Sequence, residues 1–167
     1  MILSKLFARK PDPANSLYEA IVAAARQEKF YAEMGVPDTL DGRFDMMVLN
    51  LFLVLDRLKG QSEAFRQRLT NIFFQDMDRT LREMGVGDLS VAKKIRPMAE
   101  AYHGRIQAYS LAGEQGDDAM LEALKRNVYV SVEAAEAKQL LTWTKEAKAQ
   151  LLSQETNAIL SGKLHLP

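Results

Sequence analysis

Met46 to Leu55 is a run of ten residues in which Asn50 is the only polar side chain, and it constrains the fold more than any other stretch. Asp45 bounds it on one side and Asp56-Arg57 on the other. A bilayer span needs about 20 mostly apolar residues, so a shorter run between charges reads as a buried helix. The helix expected over about Arg43 to Leu58 is apolar almost all round, and in water such a helix must be enclosed by others. The remaining chain has to supply that enclosure. With 167 residues, 47% hydrophobic and 26% charged, it has the size and balance of one folded domain.

The flanking sequence offers helices and no strand. Ser16-Leu17-Tyr18-Glu19 forms a capping box that opens a helix to about Met34, which Gly35 and Pro37 close. Val36 to Gly42 is rich in turn residues. Ser62 can cap a helix ending at Gly85, and Ser90 can cap the next. Pro97 predicts a kink or break there. Gly113 and Gly116 predict a loop, and Asp117 can cap a helix through about Tyr129. Ser131 then starts a long C-terminal helix. No alternating pattern is long enough for a sheet. The expectation is an all-α, single-domain bundle of six or seven helices around a central apolar helix, with the domain over residues 14–160.

Residues 1–13 read as a basic, apolar N-terminal segment and residues 161–167 as a tail. Lys5, Phe7, Arg9 and Lys10 make the first of these either a plain terminus or a contact for an anionic membrane surface. It lacks a secretory h-region and cleavage site, so a cytoplasmic location is expected, and peripheral contact at the inner membrane follows only from the second of those readings. Lys plus Arg equals Asp plus Glu at 22 each, so no basic field draws the whole chain to nucleic acid. The absence of cysteine removes disulfides, thiolate metal sites and cysteine nucleophiles, and fits a reducing compartment.

Enzyme chemistry has little to stand on. Glu100-Ala101-Tyr102-His103 has the Glu-x-x-His spacing of a di-iron site, but that site needs a second such motif and two further glutamates. The other histidine, His165, has no such partner. There is no Gly-x-Ser-x-Gly elbow and no Gly-rich phosphate loop. Asp76 and Asp78 point about 200° apart on a helix, so they cannot converge on one reacting atom. No catalytic residue, metal or other cofactor is expected.

The stretch Phe74 to Asp88 offers something else. At about 100° per residue, Phe65, Leu69, Ile72, Phe73, Met77, Leu81 and Met84 gather on one face. Asp76 falls inside that apolar arc, where a carboxylate is costly unless paired. Asp78 and Arg82 lie on the wet side at i, i+4 spacing. Two readings of Asp76 stand: a pin to an arginine of another helix, such as Arg43 or Arg105, or a contact for a partner chain. Met46, Met47, Met77, Met84 and Met98 surround these helices, and methionine adapts to varied apolar partners. Each is equally at home in a core.

At these residues the chain resembles the ubiquinol–cytochrome c chaperone family, assembly factors of respiratory complex III. The blocks that carry the resemblance are Gly35-Val36-Pro37-Asp38-Thr39, Asp41-Gly42-Arg43-Phe44, Phe74-Gln75-Asp76-Met77-Asp78, and Arg82-Glu83-Met84-Gly85-Val86 with Asp88-Leu89. Phe30-Tyr31 precedes these blocks, and Tyr102, Gly104-Arg105, Tyr109, Arg126-Asn127 and Tyr129 continue them; the resemblance covers about residues 17 to 130. The short N-terminus looks like the α-proteobacterial branch. Asn50 and Phe52 stand where the family often has His and Trp.

The resemblance implies a non-catalytic chaperone for newly made apocytochrome b or an early assembly intermediate, working close to the ribosome. Its implied partner-binding residues here are Asp76, Met77, Asp78, Arg82, Met84, Gly85 and Asp88, with Asn50 and Arg105. They would rim an apolar, methionine-bearing cleft. The alternative is a stable accessory subunit of a respiratory complex.

Overall fold

The computed structural model describes residues 11–129 and 134–167, which form eight helices and no strand among the described residues. Six long helices build the bundle: α1 (Pro13–Ala25), α3 (Leu40–Arg57), α4 (Glu63–Glu83), α5 (Asp88–Gln115), α6 (Asp117–Val128) and α7 (Ala134–Ser153). Two five-residue helices, α2 (Glu28–Ala32) and α8 (Thr156–Leu160), complete it. No described helix is long and apolar enough to cross a membrane. Lys5, Phe7, Arg9, Lys10 and Ser131 lie outside the described residues.

The central helix is where the apolar run requires it. Every residue of α3 from Asp45 to Leu55 is buried, and the helix packs against α1, α5, α6 and α7. It begins at Leu40, earlier than expected, because the Thr39 hydroxyl caps it by accepting from the Gly42 amide at 3.1 Å. Gly42 itself is required by close packing. A Cβ there would sit 1.9 Å from the Pro37 carbonyl oxygen, so the loop lies directly on the first turn of α3.

Several helix boundaries differ from expectation for identifiable reasons. Asp12, not Ser16, caps α1, accepting from the Ala14 amide at 3.1 Å. Pro13 follows at the first helical position, where its missing N–H and fixed φ carry no penalty. The helix expected to reach Met34 stops at Ala25 and restarts as α2. Pro97 does not break α5, which runs unbroken for 28 residues from Asp88. Pro97 is exposed, so water can take the carbonyl its missing amide leaves free. Gly113 stays helical, and Gly116, at φ 110°, alone turns the chain into α6; it is also the N-cap, in place of Asp117.

The C-terminal residues pack as part of the bundle. Arg57, at the end of α3, donates to the carbonyls of Leu151 and Gln154 at 2.9 and 2.8 Å and to the Thr156 hydroxyl at 3.0 Å. One guanidinium thus satisfies the orphan carbonyls at the end of α7 and fixes the start of α8. Residues 161–167, read as a tail, run back over the bundle. The Trp143 indole and the Lys29 ammonium both donate to the Pro167 carbonyl, at 3.3 and 2.6 Å. Leu164 and Leu166 pack against the core, near the edge-on pair of Phe30 and Trp143.

Candidate functional site

Asp76 is neither free nor pinned to an arginine of another helix. Its side chain is 13% exposed and accepts from the Tyr18 hydroxyl of α1 at 2.8 Å and from Arg79, one turn further along α4. The two sequence candidates for a pin are occupied elsewhere: Arg43 binds Asp38 at 2.8 Å on the surface, and Arg105 binds Asp45. Burial, reinforced by the Asp76 carboxylate, pushes the Tyr18 phenol far above its ordinary range. Tyr18 therefore stays a hydrogen-bond donor to Asp76 at any physiological pH.

The Tyr18–Asp76 pair forms the floor of a groove. Helices α1 and α4 run in the same direction, since Asp12 meets Arg68 (2.8 Å) and Tyr18 meets Asp76 further along both. Between them a groove of about 600 Å³ is lined by Asn15, Tyr18, Glu19, Val22 and Arg26 on one wall and Ile72, Gln75, Asp76 and Arg79 on the other. Val22 and Ile72 give it partly exposed apolar surface. Arg26, Arg79 and Glu19 give its mouth exposed charges of both signs. Such a groove can hold an extended or helical segment through apolar contacts and fix its direction by charge. A second, smaller cleft of about 330 Å³ lies between α3, α4 and α5, with Phe52, Tyr102 and Ile106 among its walls.

The structure divides the other candidate residues into three environments. Met77 turns inward, partly buried against the core. Arg82 bridges Asp78, at 2.6 Å, and Asp88, making an exposed ionic chain over the α4–α5 corner. Met84 and Gly85 form the corner itself. Met84 belongs by periodicity to the buried arc, yet it is 60% exposed because α4 ends at Glu83 and Gly85, at φ 85°, turns the chain away.

Asn50 and Arg105 are in none of these places. Asn50 is fully buried at the centre of α3, its amide donating to the Met46 carbonyl at 2.9 Å. Arg105 reaches into the core, its guanidinium 5.6 Å from the Phe44 ring centre and 2.7 Å from Asp45. Met46 and Met47 are core residues too, so no methionine-lined cleft forms around them. Glu100, of the Glu-x-x-His spacing, pairs with Arg96 at 3.2 Å, and His103 lies beside the Tyr102 ring.

Sequence reasoning missed Tyr18, Arg26 and Arg79 as groove residues, and the Asp45–Arg105 pair. Asp45 had a visible signal, a carboxylate opening the most apolar run in the chain. Tyr18 had none, because its role depends on which helix lies opposite.

Fold and groove define an all-α bundle with a polar-floored channel between two parallel helices. The chain matches the ubiquinol–cytochrome c chaperone family over residues 32–166 and belongs to it. The match includes residues 131–166, where the sequence offered no motif, and contains Asp76 but not Tyr18. The crystal structure of the Cbp3 homolog from Brucella abortus is similar throughout, with a TM-score of 0.81 and 34% identity, covering 99% of this chain and 97% of that one. Ubiquinol-cytochrome-c reductase complex assembly factor 1 of Xenopus laevis is 23% identical over 115 residues, 67% of this chain. The aligned region spans 58% of the frog protein's length.

Proposed function

We propose that this protein is a non-catalytic assembly chaperone that binds newly made apocytochrome b, or an early intermediate containing it, and promotes assembly of ubiquinol–cytochrome c reductase. Family membership and the likeness to the Cbp3 homolog support the class. One geometric observation carries the mechanism: Asp76, the carboxylate set into an apolar face, is held by Tyr18 and Arg79 at the floor of a solvent-facing groove. There an apolar segment of the client would rest on Val22 and Ile72. Its charged residues would meet Arg26, Arg79 and Glu19. The groove holds by packing and charge without a covalent step, so the client can leave when assembly proceeds. The protein would act on the cytoplasmic side, near the ribosome making its client.

The test is the reduced-minus-oxidised cytochrome b spectrum, with ubiquinol–cytochrome c reductase activity, in membranes of a strain lacking this chain. Loss of both, with the cytochrome b transcript unchanged, is the expected result. The strain should be rescued by the wild-type chain and poorly by Ile72→Asp, which places a charge in the groove. Full rescue by that variant would remove the groove from the mechanism. Stoichiometric co-purification with the mature complex would indicate an accessory subunit instead.

A further inference from the structure

The α4–α5 corner carries chemistry that the groove does not use. Leu89 is 89% exposed and Met84 is 60% exposed, on either side of the tight turn Gly85-Val86-Gly87. Two large apolar side chains stand in water at the corner between α4 and α5. Neither lines the α1–α4 groove or the smaller cleft between α3, α4 and α5. Leu89, Lys93 and Arg96 fall on one outward stripe of α5 at helical spacing, and Lys94 flanks it. All three cations are exposed.

From Arg82 to Pro97 the cations Arg82, Lys93, Lys94 and Arg96 outnumber the carboxylates Glu83 and Asp88, in a chain whose totals balance at 22 each. From Met84 to Pro97 there is one acidic residue, Asp88, and it is already engaged by Arg82. Arg96 pairs with Glu100 one turn on. Lys93 and Lys94 face solvent with no ionic partner among the described residues. Exposed apolar side chains with two uncompensated lysines one turn further along the same helix fit a surface that is negative outside and apolar beneath.

We propose that the α4–α5 corner docks on an anionic lipid bilayer, with Leu89 and Met84 entering the headgroup region and Lys93 and Lys94 binding lipid phosphates. This contact is separate from client binding and requires no client. It also lies away from the point where residue 11 enters α1. Asp12 sits beside Arg68, and Met84 is sixteen residues further along α4, about 24 Å at the helical rise.

The experiment is flotation of the purified full chain with vesicles of phosphatidylcholine, with and without phosphatidylglycerol. Wild type should bind the anionic vesicles preferentially and release as salt is raised. Each lysine near such a surface is worth about fivefold in partitioning, so Lys93→Glu with Lys94→Glu should lower it at least about twentyfold. Leu89→Ser should lower it by roughly tenfold. These positions are exposed, and far-UV circular dichroism checks that the variants stay helical. Because the chain has no cysteine, Leu89→Cys gives a single labelling site. An environment-sensitive dye there should shift to the blue on adding anionic vesicles and not neutral ones. The proposal is overturned if wild type ignores anionic vesicles, if the lysine reversals bind normally, or if the dye stays in water. It is equally overturned if deleting residues 1–10 abolishes binding while the corner variants match wild type. Lost reductase assembly in the corner variants, without vesicle binding by wild type, would mark a protein contact instead.

Discussion

Asp45 and Asp76 are both carboxylates set among apolar positions of long helices, and the fold treats them oppositely. Asp76 keeps an edge of water and gains a tyrosine donor and an arginine of its own helix. Asp45 is enclosed between α3 and α5 with Arg105 at 2.7 Å, but Asp45 Oδ1 and Arg105 Nε lack hydrogen-bond geometry, and the nearby Tyr109 hydroxyl has no partner. Desolvation therefore prevails over the arginine, and the Asp45 carboxyl is pushed up to about 7. An acidic residue within an apolar pattern is thus not by itself a binding signal. Their side-chain exposures, 8% and 13%, are close; what distinguishes the two is that Asp76 has well-formed donors and lines a groove, while Asp45 does not. One is an under-bonded structural pin and the other lines a groove.

The largest effect should come from removing the arginine of the enclosed pair. Arg105→Met leaves Asp45 buried without a counter-charge and should cost about 3 kcal/mol in urea unfolding at pH 8. The cost should shrink at pH 5, where Asp45 can take a proton. A loss below 1 kcal/mol at pH 8 would mean that Asp45 is better solvated than its burial indicates.

Next in size is a pH dependence with a defined sign. The folded Asp45 carboxyl titrates near 7, above its ordinary value of 3.8, so the folded state binds the proton more tightly than the unfolded chain. Its contribution is fully present below about pH 4 and is lost as pH rises through 7, on the order of 2 kcal/mol between pH 5 and 8. Asp45→Asn should flatten that part of the profile in chemical denaturation. Parallel profiles for the variant and wild type would refute it.

Groove substitutions should cost less in stability and more in function. Asp76→Ala leaves the Tyr18 hydroxyl without its acceptor, about 1.5 kcal/mol, and Tyr18→Phe should cost about 1 kcal/mol. Arg79→Ala, which removes an exposed partner, should cost about 0.5 kcal/mol or less by thermal melting. Under the proposed mechanism all three lower cytochrome b levels in complemented membranes. If Asp76→Ala destabilised as strongly as Arg105→Met, the two carboxylates would be alike and the groove reading would fail.

The features legible in the sequence are those set by local pattern. The apolar run from Met46 to Leu55 required a central helix, and Ser62 and Gly85 lie where helix ends need a hydroxyl or a positive φ. The misfit of Asp76 was visible because periodicity alone places it beside Phe73 and Thr80. Its partner was not, since Tyr18 is 58 residues away and belongs to a helix whose direction relative to α4 no local pattern encodes. Met84 shows the reverse failure. Periodicity put it on the buried face, but burial ends where the neighbouring helices end.

The sequence by itself determined the helical class, the helix that must be enclosed, and membership of a chaperone family through ordered blocks of residues. The first two follow from the period of the α-helix and the cost of exposing apolar surface, which act on neighbours a few residues apart; the third rests on likeness to other sequences. The tertiary structure decided which polar side chains face water, which helices form the groove, and that residues 161–167 close over Trp143. Those depend on the register between packed helices. That register is settled only when all the side chains of the core fit together at once.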